Sequence, residues 1–295
     1  MNYAILPIPV CGYGPNVSYR VSGQSALTPV SEIPCGNSQQ PARFSFLADS
    51  QEGPQYARMF AEQIKLFPGS AVLNGGDIVQ TGNSLAAWNG YFAAMEPVGG
   101  SRVLFPAVGN HEYRGDPTIP LWRHFFRYDA KDAHYAYDIG AARIIVLNSN
   151  FEDDPSQRTS QLAWLRAQLA VPSRWKIVYF HPPAYSVGFF NNPVAPRKEH
   201  VVLQDYYIPL FEQYKVDVVL NGHVHLFETD YKNGIHYLIV GPAGGKMGVY
   251  GNKDPYMLKA ARERSIVDLE VTQSYLRALS VNISGQVLDD LILRK

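Results

Sequence analysis

Five short polar clusters hold nearly all of the candidate metal ligands in this 295-residue sequence. Carboxylate, imidazole and amide oxygen ligands together suit Mn, Fe or Zn better than the soft metals that thiolates select. A single carboxylate can also bridge two cations about 3.5–4 Å apart, which is the separation found in two-metal hydrolytic sites. The clusters therefore predict a metal centre. They are Asp49-Ser50-Gln51, Gly76-Asp77, Gly109-Asn110-His111-Glu112, His181-Pro182-Pro183 and Gly222-His223-Val224-His225.

Each polar cluster follows a run of residues that is typical of a strand. The short apolar run Arg43–Ala48, for example, ends directly at Asp49. Apolar residues at helical spacing predict helices in the intervals, with Pro54 starting the first and Ser84 capping the second. Chemistry at the carboxyl ends of strands is typical of an α/β sheet. The predicted strands are Arg43–Ala48, Ala71–Leu73, Val103–Val108, Trp175–Phe180 and Val216–Leu220, and the predicted helices cover 54–67, 84–95, 160–169 and 201–214.

The remaining segments predict a hairpin, a strand-rich tail and an N-terminal extension. Tyr135–Asp138 and Arg143–Asn148 flank Gly140, which suits a turn between two strands. Residues 1–41 are rich in Pro, Gly, Ser and Asn, so we expect irregular structure there with one or two edge strands. No linker-like stretch follows, which favours a single α/β domain over residues 42–295. The predicted tail strands are Tyr237–Val240, Ser265–Val271, Tyr275–Val281 and Val287–Leu293.

The composition excludes some classes of partner. Lys and Arg number 26 and Asp and Glu number 26, so the formal charge is zero, which argues against a broad nucleic-acid surface. No apolar run reaches the roughly 18 residues of a transmembrane helix. The start, MNYAILPIPVCGYG, has no basic region and is not expected to be a signal peptide. Cys11 and Cys35 are either a disulfide pair or two unrelated thiols; the pair favours an exported protein, periplasmic or secreted, over a cytoplasmic one.

The series of clusters resembles the calcineurin-like metallophosphoesterases, and most of all their purple-acid-phosphatase-type branch. The family motifs are D-x-H or D-x-G, then G-D, G-N-H-E or G-N-H-D, a lone His, and G-H-x-H. This sequence supplies them in that order, and the resemblance covers about residues 43–293. It implies a four-layer α/β/β/α sandwich with mixed sheets and a centre of two divalent metal ions, Mn, Fe or Zn.

The resemblance also implies a role for each motif residue. Asp49 and His225 would bind the first metal, and Asp77 would bridge both. His111 would be the catalytic residue that donates a proton to the leaving oxygen, while a metal-bound hydroxide attacks phosphorus in line. The ligands of the second metal would be Asn110, His181 and His223.

Two positions depart from the better-known family patterns. Gln51 stands two residues after the first Asp; by resemblance to family members with D-x-Q it is expected to bind the first metal, the alternative being a contact beside the metals or with substrate. Gln80 stands three residues after the bridging Asp77, where purple acid phosphatases need a Tyr. Without a phenolate ligand we expect a colourless protein containing Mn, Fe(II) or Zn.

The function predicted by the resemblance is hydrolysis of a small phosphorylated substrate, with phosphomonoesters favoured. The alternatives are a phosphodiesterase acting on a nucleotide or lipid-type diester, and a non-catalytic metal-binding relative. The loops around 113–134 and 183–200 would decide the ester preference, and the oligomeric state stays open.

Other polar and aromatic residues near the motifs have ordinary explanations. Glu112 either orients His111 or is hydrogen-bonded nearby. The pair Arg197-Lys198 is expected to be solvated, with phosphate contact as the alternative. Gly244-Gly245-Lys246 lacks the Ser or Thr and the further Gly of a phosphate-binding loop. Four histidines are expected to be structural, and four aromatic residues either line a pocket or pack in the core: His124, His134, His200 and His236, and Tyr113, Tyr185, Phe189 and Phe190.

Overall fold

The computed structural model describes residues 16–19, 31–34, 41–126, 133–151, 153–188, 197–251 and 254–295. Cys11, Cys35, Phe189 and Phe190 lie outside the described residues, so the predictions made for them stay open. The strands, in chain order, are β1 (Asn16–Tyr19), β2 (Ser31–Pro34), β3 (Ala42–Leu47), β4 (Ala71–Asn74), β5 (Val103–Pro106), β6 (Tyr135–Ile139), β7 (Ala142–Val146), β8 (Trp175–Tyr179), β9 (Val218–Asn221), β10 (Phe227–Lys232), β11 (Ile235–Ile239), β12 (Met257–Ala261), β13 (Ser265–Val271), β14 (Tyr275–Asn282) and β15 (Val287–Arg294).

The described strands form two mixed sheets and one small ribbon. One mixed sheet has the order β12-β10-β11-β9-β8-β7-β6, and the other has the order β15-β14-β13-β3-β4-β5. Each contains a group of parallel strands, which is central in the first sheet (β11-β9-β8-β7) and forms one side of the second (β3-β4-β5), and the other strands pair antiparallel. In the N-terminal region, β1 pairs with β2 in an antiparallel ribbon. The predicted α/β class with mixed sheets is confirmed.

Helices cover the outer faces of the two mixed sheets. Ser84 caps α2 by accepting a hydrogen bond from the Ala87 N–H at 3.3 Å, as expected. Asp154 caps α5 by accepting from the N–H groups of Ser156 and Gln157, so α5 begins five residues before the predicted start. The helices are α1 (Pro54–Leu66), α2 (Leu85–Ala94), α3 (Glu96–Gly99), α4 (Pro120–Phe126), α5 (Pro155–Ala170), α6 (Lys198–Val202) and α7 (Ile208–Gln213), with a π-helical turn at Leu203–Tyr207 between the last two.

Three hydrophobic clusters account for the four layers. Successive residues of a strand point to opposite faces, so Phe46 of β3 lies between the sheets whereas Leu47 packs under the helices. In the same way Ile177 of β8 lies between the sheets and Val178 packs against Leu165 of α5. Burial of each such side chain contributes about 1.5–3 kcal/mol. The layers therefore follow the order helix, sheet, sheet, helix, as the resemblance implies.

Two strands were missing from the sequence prediction, and several strand boundaries differ by one or two residues. β10 and β12 extend the first sheet beyond β11, in a region predicted as loop. β9 begins at Val218, two residues after the predicted start at Val216. The carboxyl ends of β3, β4, β5, β8 and β9 nevertheless lead into the five polar clusters, as predicted.

Candidate functional site

The five polar clusters meet at one place, where backbone hydrogen bonds join their loops. The Asp49 N–H donates to the Gly76 carbonyl at 3.0 Å, and the His223 N–H donates to Asp49 Oδ2 at 2.8 Å. The His111 N–H donates to Asp77 Oδ1 at 2.8 Å. These bonds tie loops from both sheets together, so the position of each carboxylate is fixed by a neighbouring loop.

Two groups of candidate ligands share one carboxylate. The donor atoms of Asp77, His181 and His223 all lie within 4.8 Å of one another, and so do those of Asp49, Asp77 and His225. Asp77 belongs to both groups and is 2 % exposed. Asn110 lies at the same place, with its Oδ1 3.1 Å from His223 Nδ1. This is the arrangement that a pair of cations bridged by one carboxylate requires.

Backbone carbonyls orient three of the histidine rings. Nδ1 of His181 lies 2.9 Å from the Gly75 carbonyl, and Nδ1 of His111 lies 3.0 Å from the Gln80 carbonyl. Nδ1 of His225 bonds to the Lys246 carbonyl. A ring that donates from Nδ1 presents Nε2 to the site, which is the usual support for a metal-binding histidine.

The oriented rings face carboxylate oxygens at short range. Nε2 of His181 lies 3.0 Å from Asp77 Oδ2, and Nε2 of His225 lies 3.3 Å from Asp49 Oδ1. An imidazole lone pair facing a carboxylate is favourable only with a proton or a metal cation between them. Burial lowers the pKa of His181, but the Asp77 carboxylate outweighs burial and raises it to about 9. The same pair holds the pKa of Asp77 well below its usual range, against the effect of burial.

Two buried oxygen atoms also fit a metal site. Asp49 Oδ1 and Gln51 Oε1 receive no hydrogen bond from any described residue. The Gln51 amide nitrogen lies 3.2 Å from His225 Nε2 and 3.4 Å from Asp77 Oδ2. Turning this amide by 180° would place its oxygen between those two groups, which is the orientation that a metal ligand needs. The residues present therefore suit two hard or borderline divalent cations.

Backbone strain is concentrated at the candidate ligands. Asp49, Asp77, His223 and His225 have φ values of 56°, 53°, 72° and 58°, in the left-handed region that L-residues seldom adopt. Each such residue costs of order 1–3 kcal/mol when it is not glycine. The packed loops hold this strain, and its position coincides with the residues selected from sequence.

Glu112 organises the loop of Asp77 and does not contact the His111 ring. Its carboxylate is 1 % exposed and accepts four backbone hydrogen bonds, from Gly109 at 2.7 Å, Ile78 at 2.8 Å, Asp77 at 2.9 Å and Val79 at 3.3 Å. Of the two explanations left open by the sequence, nearby hydrogen bonding is the one that the geometry supports. Glu112 thereby links the loop after β4 to the loop after β5.

His111 lies at the wall of a pocket above the candidate ligands. Its side chain is 12 % exposed, and Nε2 is 3.6 Å from Asp77 Oδ2. Burial lowers the pKa of His111, the Asp77 carboxylate raises it, and the Arg114 guanidinium lowers it again, with a net decrease. Burial also lowers the pKa of His223, which keeps that imidazole neutral and able to bind a metal.

The pocket has a volume of about 360 Å³ and contains residues that the sequence did not single out. Arg114, Met247 and Val249 line it, and isolated residues of these types carry no sequence signal. Lys246 also lines it, directly after two glycines that contact the Asp49 and His225 loops. The sequence rejects Gly244-Gly245-Lys246 as a phosphate-binding loop and gives no other indication of where Lys246 lies.

The residues expected to be structural have structural surroundings. His200 is buried, with Nδ1 2.6 Å from the Pro183 carbonyl, and His134 packs its ring on Trp164. Tyr113 bonds to the Asn148 amide. Tyr185 packs against Tyr237 and Tyr256, so these aromatic residues form part of the core and not of the pocket. Arg197 does line the pocket, whereas Lys198 forms an ion pair with Asp153.

Comparison with known proteins places this geometry in a family. A family model described as calcineurin-like phosphoesterase matches residues 42–227. Purple acid phosphatase 22 of Arabidopsis thaliana is 26 % identical over 215 residues, which cover 64 % of this chain and 48 % of that protein. Purple acid phosphatase 18 of the same plant is 26 % identical over 194 residues, with 61 % and 43 % covered. The chain thus spans about half the length of these curated relatives.

Solved structures show the same fold. A purple acid phosphatase from yellow lupin (Lupinus luteus) seeds has a TM-score of 0.78 at 18 % identity, covering 92 % of this chain and 56 % of that one. GAP50, described as the anchor in the inner membrane complex of Plasmodium, has a TM-score of 0.71 at 20 % identity, covering 86 % and 89 %. Among the described residues, no helix is both long and apolar enough to cross a membrane.

Proposed function

Since the chain belongs to the calcineurin-like phosphoesterase family, we propose that it hydrolyses phosphate esters, preferably monoesters, at a centre of two divalent cations. The proposal is supported above all by Asp77, the carboxylate common to both groups of candidate ligands. The curated relatives are purple acid phosphatases, which agrees with a phosphatase activity. A small phosphorylated substrate fits a pocket of about 360 Å³.

The chain's own residues divide into two sets of ligands in this proposal. Asp49, Gln51 and His225 hold the first cation, and Asp77 contributes an oxygen to each. The bound cations would activate water as the nucleophile and neutralise charge on the phosphoryl oxygens. The second cation is held by Asn110, His181 and His223.

His111 is the proposed proton donor to the leaving oxygen. Its ring is fixed through Nδ1 to the Gln80 carbonyl, while Nε2 faces the pocket. The surrounding loops shield most of the ring from water, which keeps its orientation constant. A positioned acid of this kind contributes typically 10²–10⁴-fold to a rate.

The test combines metal analysis with two substrates. Protein loaded with Mn²⁺ is assayed with p-nitrophenyl phosphate and with bis(p-nitrophenyl) phosphate, and His111→Ala is assayed alongside. We expect two Mn per chain, a higher kcat/KM for the monoester, and a loss of 10²-fold or more in His111→Ala. Near-full activity of His111→Ala would show that the proton donor has been assigned wrongly.

A non-catalytic role is the second candidate, because GAP50 shares the fold and is described as an anchor. Negligible turnover of both esters by a protein that holds two Mn would establish it. The ligand set and His111 are all present here, which favours catalysis.

The metal is proposed to be Mn, Fe(II) or Zn, without a phenolate ligand. Gln80 follows Asp77 by three residues, and its carbonyl positions His111.

An exported location is also proposed, on the basis of Cys11 and Cys35. Titration of both thiols as free in the native protein would remove that argument.

A further inference from the structure

The wall of the pocket is cationic, although the chain as a whole is neutral. Arg114, Arg197 and Lys246 line the pocket above the candidate ligands. Among its lining residues in the described chain, Asp77 is the one carboxylate, and it lies buried at the base. Equal numbers of acidic and basic residues in the sequence do not predict such a local excess. The pocket mouth therefore favours anionic groups on the substrate.

Arg114 has a fixed backbone, and its guanidinium has no acidic partner among the residues that the structure describes. Its N–H donates to the His111 carbonyl at 3.1 Å, and its carbonyl accepts from the Gly82 N–H at 3.0 Å. The side chain is exposed, and no described Asp or Glu lies within 4.0 Å of its guanidinium. An arginine held in place without an acidic partner is available for a ligand.

The two other cations are partly balanced. Lys246 is 88 % exposed and has Glu52 at 3.8 Å, while Arg197 has Glu199 at 3.3 Å. The Lys246 carbonyl accepts from His225 Nδ1, so its backbone is fixed beside the candidate ligands. Lys246 and Arg197 add to the positive charge around the pocket. Of the three cations, Arg114 is the one whose planar guanidinium can offer all of its N–H donors to a ligand.

The place of Arg114 beside His111 indicates which part of a substrate it would meet. His111 is proposed to protonate the leaving oxygen, and Arg114 follows it by three residues, with its N–H bonded to the His111 carbonyl and both residues lining the pocket. A group bound by Arg114 would thus belong to the leaving group and not to the phosphate being cleaved. Guanidinium donates two parallel hydrogen bonds to a phosphate, a geometry that lysine cannot reproduce.

We propose that the natural substrate carries two phosphate groups, one cleaved at the metal centre and the other, on the leaving group, bound by Arg114. This inference rests on the proposed phosphatase activity. Water supplies the hydroxyl that adds to phosphorus, the P–O ester bond breaks, and the proton from His111 goes to the departing oxygen. The products are inorganic phosphate and an alcohol that still carries the second phosphate.

The test compares two substrates that differ only in the second phosphate. Fructose 1,6-bisphosphate and fructose 1-phosphate are assayed with Mn²⁺-loaded wild type, Arg114→Gln and Arg114→Lys. Arg166→Gln is the matched control, because Arg166 is an exposed arginine on α5 that does not line the pocket. We expect wild type to prefer the bisphosphate at least 10-fold in kcat/KM, and Arg114→Gln to reduce that preference 10- to 100-fold, mainly through KM.

A binding measurement gives a second readout. Methylenebisphosphonate is titrated calorimetrically into the same proteins, with methylphosphonate as the single-anion reference. Arg114→Gln should weaken binding of the bisphosphonate 10-fold or more, Arg114→Lys should lie between, and Arg166→Gln should match wild type. The ratio of the affinity for methylenebisphosphonate to that for methylphosphonate should also fall as the salt concentration is raised.

The outcomes separate the two proposals. Equal kcat/KM for both fructose phosphates, or an equal loss on both in Arg114→Gln, would overturn the second-phosphate site while leaving the phosphatase intact. Absence of all turnover in metal-loaded protein would overturn the phosphatase. The bisphosphonate titration would then still decide whether Arg114 binds a second anion.

Discussion

Gly245 lies against the ring of the candidate ligand His225, so Gly245→Ala should weaken metal binding without disrupting the fold. A β-carbon at this position would lie 2.6 Å from Cε1 of the His225 ring and 3.2 Å from each ring nitrogen. Gly245 has no positive φ that would exclude alanine. The added methyl therefore acts on the ring of His225 and not on the backbone.

The size of the effect follows from the overlap. Carbon atoms pack at about 3.5–4.0 Å, so the His225 ring must move by roughly 1 Å or tolerate overpacking of about 1–3 kcal/mol. In metal-free protein the ring can rotate away and relieve most of this cost. With a cation bound, the ring is held and the cost remains, which weakens affinity for the first cation by about 5- to 150-fold.

Calorimetric titration of Mn²⁺ into metal-free protein measures this effect, and urea unfolding measures stability. Gly90→Ala is the matched control, since nothing lies within 4 Å of a β-carbon at Gly90 in α2. Gly90→Ala should raise the free energy of unfolding by about 0.5–1 kcal/mol and leave Mn²⁺ affinity unchanged. Two Mn²⁺ bound by Gly245→Ala with wild-type affinities would refute the placement of His225 as a ligand.

Three further predictions concern the hydrogen bonds of buried Glu112, the titration of Asp268 and the colour of the protein. Glu112→Ala would leave four buried backbone N–H groups without their acceptor and should lower the free energy of unfolding, measured in urea, by about 3 kcal/mol or more. The control Glu62→Ala breaks an exposed ion pair and should cost less than about 1 kcal/mol. Equal losses in the two variants would contradict the role of Glu112 in holding these N–H groups. Burial raises the pKa of Asp268 from 3.8 to about 6, so the folded state binds its proton more tightly and stability falls as pH rises from about 4 to 6. Asp268→Asn should remove this dependence, so its stability relative to wild type should rise by up to about 3 kcal/mol between pH 4 and pH 8. Parallel stability–pH curves for the two proteins would rule out this effect of Asp268. Iron-loaded protein should show no charge-transfer band in the visible spectrum, because Gln80 stands where a phenolate would be needed, and a purple protein would contradict this.

The meeting of the candidate ligands could be predicted because each of their clusters closely follows a strand. Asp49 succeeds the buried strand β3, and His181 lies two residues after β8. Parallel strands bring their carboxyl ends to one edge of a sheet, so five clusters in the right order specify one site. The fold class followed from the same alternation of strands and helices.

Strand β10 was missed because its sequence is polar where a buried strand is normally apolar. Glu228 is fully buried and accepts hydrogen bonds from Ser186 Oγ at 2.7 Å and the Val187 N–H at 2.8 Å. Burial raises the pKa of its neighbour Asp230 to about 10, so that carboxyl is neutral in the fold. The partners of Glu228 lie about 40 residues away in sequence, and no local pattern reveals them.

Two cations of the pocket, Arg114 and Lys246, were also beyond prediction. Arg114 and Lys246 are single exposed charges in loops, and most such residues are simply solvated. Only the folded loops show that both backbones are fixed beside the candidate ligands. The local excess of positive charge is a property of the assembled site and is invisible in a neutral composition.

Anomalous diffraction from crystals grown with Mn²⁺, measured at the manganese edge, tests the central claim most directly. We expect two peaks about 3.5–4 Å apart, with the Asp77 carboxylate between them. One peak should lie against Asp49 and His225, and the other against His181 and His223. A single ion, or ions bound away from Asp77, would contradict the account.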